Sequence, residues 1–275
     1  MVVVITVNTA AVRGTRKEGA LVGDWIRCFH PAPHAGTRLL FFPHAGGSAS
    51  AYHPLSAAVS GVVDPSVVQY PGRQERFGEP FAERADDVVD AVLAALPGWD
   101  AGEPTALFGH SMGAVLAFET ARRMTSAGHP PAALFVSGRQ APSLPWRPAA
   151  VVRPVAEMSD SELVEEMRKL SGTASELLTS PDLLPIILPP VRADYRLLDN
   201  HVHRDGPPLD CPVVALTGDA DPRVTVESVR AWESETRGDF SCHVLEGGHF
   251  FLDRHRAYVT EVVASTLVGR NASTR

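Results

Sequence analysis

Apolar residues fall in short unbroken runs separated by stretches of helical periodicity, and this alternation organises most of the chain. The runs are Arg38-Leu39-Leu40-Phe41-Phe42, Val67-Val68-Gln69-Tyr70, Thr105-Ala106-Leu107-Phe108, Ala133 to Gly138 and Pro212 to Thr217, with Phe240 to Leu245 supplying the last strand. Continuous apolar character over that length marks strands covered on both faces, as in a mostly parallel sheet. Between them, Tyr52 to Val59 reads as a short helix, and Ala85 to Leu96 carries Val88, Val89, Val92, Leu93 and Leu96 as an apolar stripe. Ala114 to Met124 sets Ala114, Ala117, Phe118 and Ala121 on one helical face. Strands alternating with helices in this way predict an α/β fold with right-handed crossovers. Trp25 to Phe29 adds a candidate edge strand, and Met1 to about Gly23 reads as a flexible amino-terminal extension.

The rhythm changes between Met158 and Asn200, where no strand is expected. Ser159-Asp160-Ser161-Glu162 can cap a helix that puts Leu163, Met167 and Leu170 on one face. Leu177 to Leu188 is apolar but broken by prolines, and a separate segment, Val191 to Leu198, groups Val191, Tyr195 and Leu198. A helical insertion over about residues 158–200, between sheet strands, is placed to form a lid over an apolar pocket. The expected organisation is one domain over residues 24–275 carrying that insertion, a size ample for a large core.

Composition changes this picture little. With 44% hydrophobic and 21% charged residues the chain reads as an ordinary globular protein. A formal net charge of -7 and the lack of a dense Lys/Arg run argue against a nucleic-acid surface, and no apolar run is long enough for a spanning helix. Cys28, Cys211 and Cys242 are three, widely spaced and without a C-x-x-C, which suits the reduced thiols of a cytoplasmic protein. His201-Val202-His203 and the pair His30 and His34 lack a third ligand at a metal-like spacing, so no metal and no cofactor are expected. Neither a phosphate-binding G-x-x-x-x-G-K-[ST] loop nor a dinucleotide G-x-G-x-x-G is present.

The chemistry concentrates where strands end. Gly109-His110-Ser111-Met112-Gly113 reads G-x-S-x-G between an apolar strand and a helix. A serine hydroxyl needs a base to take its proton, and a sharp strand-to-helix turn lifts its oxygen toward one. The Met112 N–H, at the helix start, can donate to a developing oxyanion. The loop Pro43-His44-Ala45-Gly46-Gly47-Ser48 follows an early strand, and the Ala45 N–H is the candidate second donor. Gly218-Asp219-Ala220-Asp221 ends a late strand and offers two carboxylates. Asp221 is the better acid because it projects from the turn, while Asp219 is placed to stabilise that turn through its own backbone. His249, after the last strand in Glu246-Gly247-Gly248-His249, completes the chain order Ser, Asp, His. His44 is read as orienting its loop or solvated, and Arg73 and Arg76 as surface arginines near a strand's carboxyl end.

Together Phe41-Phe42-Pro43-His44-Ala45-Gly46-Gly47, Gln69-Tyr70-Pro71-Gly72-Arg73, Gly109-His110-Ser111-Met112-Gly113-Ala114, Gly218-Asp219-Ala220-Asp221 and Gly247-Gly248-His249-Phe250-Phe251 resemble the motifs of type II thioesterases. These are free-standing editing enzymes of polyketide synthase and nonribosomal peptide synthetase pathways, of α/β-hydrolase fold. The likeness runs from about Arg38 to near Leu267; the amino-terminal extension departs from it. It implies Ser111 as nucleophile, His249 as base, Asp221 as orienting acid, and Met112 with Ala45 as oxyanion donors. The implied substrate is an aberrant or stalled acyl group on the phosphopantetheine arm of an acyl or peptidyl carrier protein, with small acyl thioesters also accepted. General esterase action on small free esters, acyl transfer or cyclisation, and an inactive hydrolase-fold binding protein are the competing readings of the same residues.

Overall fold

A computed structural model describes residues 20–22, 25–144, 154–170 and 178–271. Its centre is an eight-stranded sheet in the order β1-β2-β4-β3-β5-β6-β7-β8. The strands are β1 (Ala20–Val22), β2 (Ile26–Cys28), β3 (Arg38–Phe42), β4 (Asp64–Val68), β5 (Thr105–His110), β6 (Leu134–Ser137), β7 (Val213–Gly218) and β8 (Phe240–Leu245). Pairing is parallel from β4 through β8 and antiparallel only where β2 meets β1 and β4. The expectation of a mostly parallel sheet with flanking helices therefore holds.

Besides β4, which runs over Asp64–Val68 where the pattern predicts Val67 to Tyr70, two details differ from the sequence reading. Ala20–Val22 pairs antiparallel with Ile26–Cys28, so the edge strand lies inside the stretch read as an extension; residues 1–19 lie outside those described. The second concerns α5 (Leu184–Asn200), which runs through Pro185, Pro189 and Pro190 as one helix instead of two segments. Proline removes a backbone donor and normally kinks a helix. Here Leu188, Pro190, Val191, Tyr195, Leu197 and Leu198 form one continuous buried face, and that burial holds the helix together across the prolines. Its companion α4 (Asp160–Leu170) opens with the expected capping box, Ser159 N–H donating to Glu162 and Glu162 N–H to Ser159 Oγ.

Alternation along β3 shows how the layers form. Leu39 and Phe41 face one cluster with α1 (His53–Val59) and α7 (Arg256–Asn271), while Leu40 and Phe42 face the other with α2 (Ala85–Ala95) and α3 (Met112–Ser126). Since all six parallel strands, β3 to β8, point the same way, the loops that follow β3, β5, β6, β7 and β8 gather at one sheet edge. α4 and α5 occupy the chain between β6 and β7 and cover that edge. A fifteen-residue α3, packed against β5, β6 and β3, supports the loop that carries Ser111.

Candidate active site

Ser111 sits between β5 and α3 with φ 55° and ψ −113°. A non-glycine residue at positive φ is strained, and the strain is sustained by what surrounds it. Its N–H donates to Ser137 O of β6 at 2.8 Å. Both flanking glycines are needed for close approach: a Cβ on Gly109 would lie 2.1 Å from Gly113 O, and one on Gly113 would lie 1.9 Å from Phe42 O. The elbow thus packs directly against the end of β3, beside the loop carrying Ala45.

His249 is buried, and its Nδ1 lies 2.8 Å from Asp221 Oδ2. The other oxygen, Asp221 Oδ1, accepts the Arg223 N–H at 2.8 Å, which fixes the carboxylate's rotation. Asp221, from the end of β7, is therefore the acid joined to the histidine. Asp219 is exposed, and it does something other than bracing its own turn: its Oδ1 accepts the Gly247 N–H at 2.9 Å, tying the acid-bearing turn to the histidine-bearing loop. Beside it, Ala220 N–H donates to Gly247 O at 3.0 Å.

With Nδ1 turned to Asp221, His249 presents Nε2 away from the acid. The ring lies over the elbow, 4.9 Å between centroids from His110, the residue before Ser111. Among the described residues Ser111 Oγ makes no hydrogen bond; nucleophile–base contacts of this kind often tighten only with substrate in place. The backbone N–H groups of Met112 and Ala45 likewise donate to no acceptor among the described residues, leaving both for a ligand oxygen.

His44 and His110 surround the base without competing with it. Burial pulls the His44 pKa from 6.5 down to about 4, helped by the nearby His249 and Arg73. Burial also pushes His110 well below its ordinary value, with His249 and His44 acting in the same direction. Both are neutral at pH 7. His44 Nδ1 lies 3.4 Å from the Tyr52 hydroxyl, which suits the loop-orienting role, and His110 Nδ1 lies 2.9 Å from Ser137 Oγ.

Arg73 and Arg76 are not surface residues; each is only 6% exposed. Arg76 stacks over Trp25 at 4.3 Å and donates to Gln69 O at 2.9 Å. Arg73 makes a two-pronged pair with Asp194 of α5, at 2.6 and 2.7 Å. Sequence reasoning missed Asp194 entirely. Beside the elbow helix, a cavity of about 410 Å³ is walled by Val115, Phe118, Leu198 and Trp232, with Arg139 at its side. Val115 lies one turn beyond Ser111 and Leu198 belongs to α5, so the helical insertion does wall an apolar space next to the elbow.

Among the described residues no group of three or more His, Cys, Asp or Glu side chains is arranged to hold a metal ion. No described helix is long and apolar enough to cross a membrane.

A family model described as the thioesterase domain matches residues 37–267, the same span that the sequence motifs cover. The thioesterase PikA5 of Streptomyces venezuelae is 42% identical over 253 residues, 91% of this chain and 88% of that one. Among solved structures, the type II thioesterase BorB from the borrelidin biosynthetic cluster is 45% identical with a TM-score of 0.80, over 89% of this chain and 98% of that one. RedJ, a thioesterase from the prodiginine pathway of Streptomyces coelicolor, is 36% identical with a TM-score of 0.76, over 85% and 86% of the two chains. With its strained serine elbow and α/β-hydrolase sheet, this chain belongs to the thioesterase family and is a type II thioesterase, a thioester hydrolase.

Proposed function

We propose that the enzyme hydrolyses aberrant or stalled acyl groups from the phosphopantetheine arm of acyl or peptidyl carrier proteins, through an acyl-serine intermediate. The observation that carries this reading is the gathering of the Ser111 elbow, the His249–Asp221 pair and two unengaged N–H groups at one sheet edge, in a chain of the thioesterase family. Ser111 Oγ attacks the thioester carbonyl carbon while His249 Nε2 takes its proton. Met112 and Ala45 N–H hold the oxyanion, the C–S bond breaks, and the imidazolium returns its proton to the departing sulfur. Water then attacks the acyl-serine ester, His249 takes a proton from it, and Ser111 recovers that proton as the acid leaves.

Asp221 holds His249 in the tautomer that keeps Nε2 unprotonated and stabilises the imidazolium formed at each half-reaction. No cofactor enters these steps, since Ser111 and His249 carry every proton transfer. The acyl chain would lie in the apolar cavity beside Val115, where each methylene contributes only about 1–3 kcal/mol of discrimination, so that broad acyl tolerance follows. We place the activity in the cytoplasm; three cysteines without a disulfide among them accord with a reducing compartment.

Intact-mass spectrometry of an acylated carrier protein, incubated with the enzyme or its Ser111→Ala variant, tests this. Loss of the acyl mass with the first and not the second supports the proposal. Cleavage of a matched simple ester with the acyl carrier untouched would replace it by a general esterase.

A further inference from the structure

Asp194 is 4% exposed and carries three short contacts. Its Oδ2 accepts the Gly46 N–H at 2.7 Å and Arg73 Nη1 at 2.6 Å, and its Oδ1 accepts Arg73 Nη2 at 2.7 Å. Gly46 follows Ala45 directly, and it adopts φ +75° under α5: a Cβ there would meet Val191 Cγ2 at 2.4 Å. Arg73 reaches the far end of the same loop, donating through Nη1 to Gly47 O at 3.1 Å. Its neighbours on the β4 segment hold the loop's flanks. Tyr70 donates its hydroxyl to Pro43 O at 3.1 Å, and Gln69 Oε1 accepts the Ala49 N–H at 2.9 Å.

The direction of the Ala45 N–H follows from these contacts. His44 O accepts the Gly47 N–H at 2.9 Å, so the His44–Ala45 carbonyl is turned inward to the loop. In a planar trans peptide the N–H points opposite to the C=O. The Ala45 N–H is therefore directed out of the loop only while that turn is kept. The next peptide, Ala45–Gly46, is held by Asp194 through its own N–H. Remove the carboxylate, and one of the two adjacent peptide planes loses its anchor.

We infer that Arg73 and Asp194 are positioning residues for the thioesterase reaction, coupling the seating of α5 on the loop to the aim of the Ala45 oxyanion donor. The inference rests on the proposed role of Ala45. A charged pair buried this way is weak evidence of a stabilising purpose, because apolar replacements of similar volume often stabilise as well or better. That exchange also separates the two roles. Arg73→Met with Asp194→Leu removes both charges, while Asp194→Asn keeps one oxygen for the Gly46 N–H and leaves Arg73 buried against a neutral amide.

The experiment measures melting temperature, kcat and KM with propionyl-N-acetylcysteamine as the thioester, and the affinity of phenylboronic acid, which forms a tetrahedral adduct on an activated serine. For the double variant we expect a melting temperature within a few degrees of wild type. Its kcat should fall by about 100-fold, in line with misplacing one oxyanion donor, with KM changed less than threefold and boronate affinity weakened in step with kcat. Asp194→Asn should melt below the double variant and yet show the higher kcat, down about tenfold on the same scale. A double variant with kcat within threefold of wild type, or a kcat that follows melting temperature across the variants, overturns the inference. Ser111→Ala, run beside them, separates the two levels: if it turns over normally the site assignment itself falls, and if it is inactive the clamp stands or falls alone.

Discussion

Replacing Asp221 by Asn changes one atom and should reverse the histidine's tautomer. The carboxylate is wholly shielded and accepts two donors, His249 Nδ1–H on Oδ2 and Arg223 N–H on Oδ1, each at 2.8 Å. Asparagine offers a single acceptor oxygen, so one of the two donors must face the amide NH2. A buried donor left facing another donor costs about 1–3 kcal/mol. The Arg223 backbone N–H cannot change its protonation, whereas the imidazole can move its proton from Nδ1 to Nε2. The amide oxygen should therefore stay with Arg223 and its NH2 donate to Nδ1. Nε2 is then protonated and cannot accept the Ser111 proton.

The expected loss in kcat is roughly 1,000- to 10,000-fold, about 4 to 5.5 kcal/mol of transition-state stabilisation, with the fold intact. Asp219→Asn makes the matched control. Its one contact in the site, from the Gly247 N–H at 2.9 Å, is exposed and can be kept by the amide oxygen, so less than about tenfold should be lost. Thiol release from a small acyl thioester, followed across pH, gives both values, and the 15N shifts of the His249 ring report the tautomer directly. An Asp221→Asn enzyme within tenfold of wild type, or an Asp219→Asn enzyme with the larger loss, would refute the reasoning and move the acid role to Asp219.

Three further outcomes follow from the geometry. Ser111→Ala should abolish turnover at little cost to stability, while Ser111→Gly should abolish it and melt higher by about 1 kcal/mol, because glycine relieves the strain at φ 55° and gives back part of that in chain entropy; a lower melting point for Ser111→Gly in calorimetry contradicts this. Gly113→Ala should lose more than about 3 kcal/mol, or fail to fold, since its Cβ would lie 1.9 Å from Phe42 O, whereas Gly36→Ala, with open space around it, should stay within about 0.5 kcal/mol in urea titrations. His44 has a folded-state pKa depressed from 6.5 to about 4, so the unfolded chain binds the extra proton between those values and stability should fall as pH drops from 6.5 to 4. This contribution amounts to at most about 3 kcal/mol, and His44→Gln should flatten the denaturation midpoint over that window relative to wild type.

The parallel strands were legible because a strand covered on both faces must be apolar at consecutive positions, and few other elements impose that. Phe240–Leu245 came out to the residue even though, at the sheet's edge, it is only partly buried and carries Ser241 and His243, and the elbow, the acid turn and the histidine loop were found because each follows a strand. β1 escaped because three residues make too short a run to stand out. The usable signal was the Gly23-Asp24 dipeptide between Leu21-Val22 and Trp25-Ile26, of the kind that joins hairpin strands. In α5 the rule that proline ends a helix was given too much weight. The spacing of Leu188, Val191, Tyr195 and Leu198 continues through Pro189 and Pro190, and burial of that face outweighed two missing backbone donors.

Arg73 shows a limit of another kind. An arginine after Pro71-Gly72 at a strand's end is reasonably read as solvated, because charged side chains are seldom buried unless paired. The information that overturns this lies in Asp194, 121 residues away along the chain, inside a helix whose extent was itself misjudged. Nothing local to either residue announces the other. Yet both touch the loop of Ala45, a site residue whose role, like that of Met112, depends on a peptide's orientation rather than on its side chain. Serine, histidine and aspartate carry their chemistry in residue type and so can be picked out by spacing. An oxyanion N–H has no residue type of its own, and what aims it is found only in the buried contacts around it. A donor of this sort must be supported by residues remote in sequence, which is why the triad was readable from the chain and its supporting clamp was not.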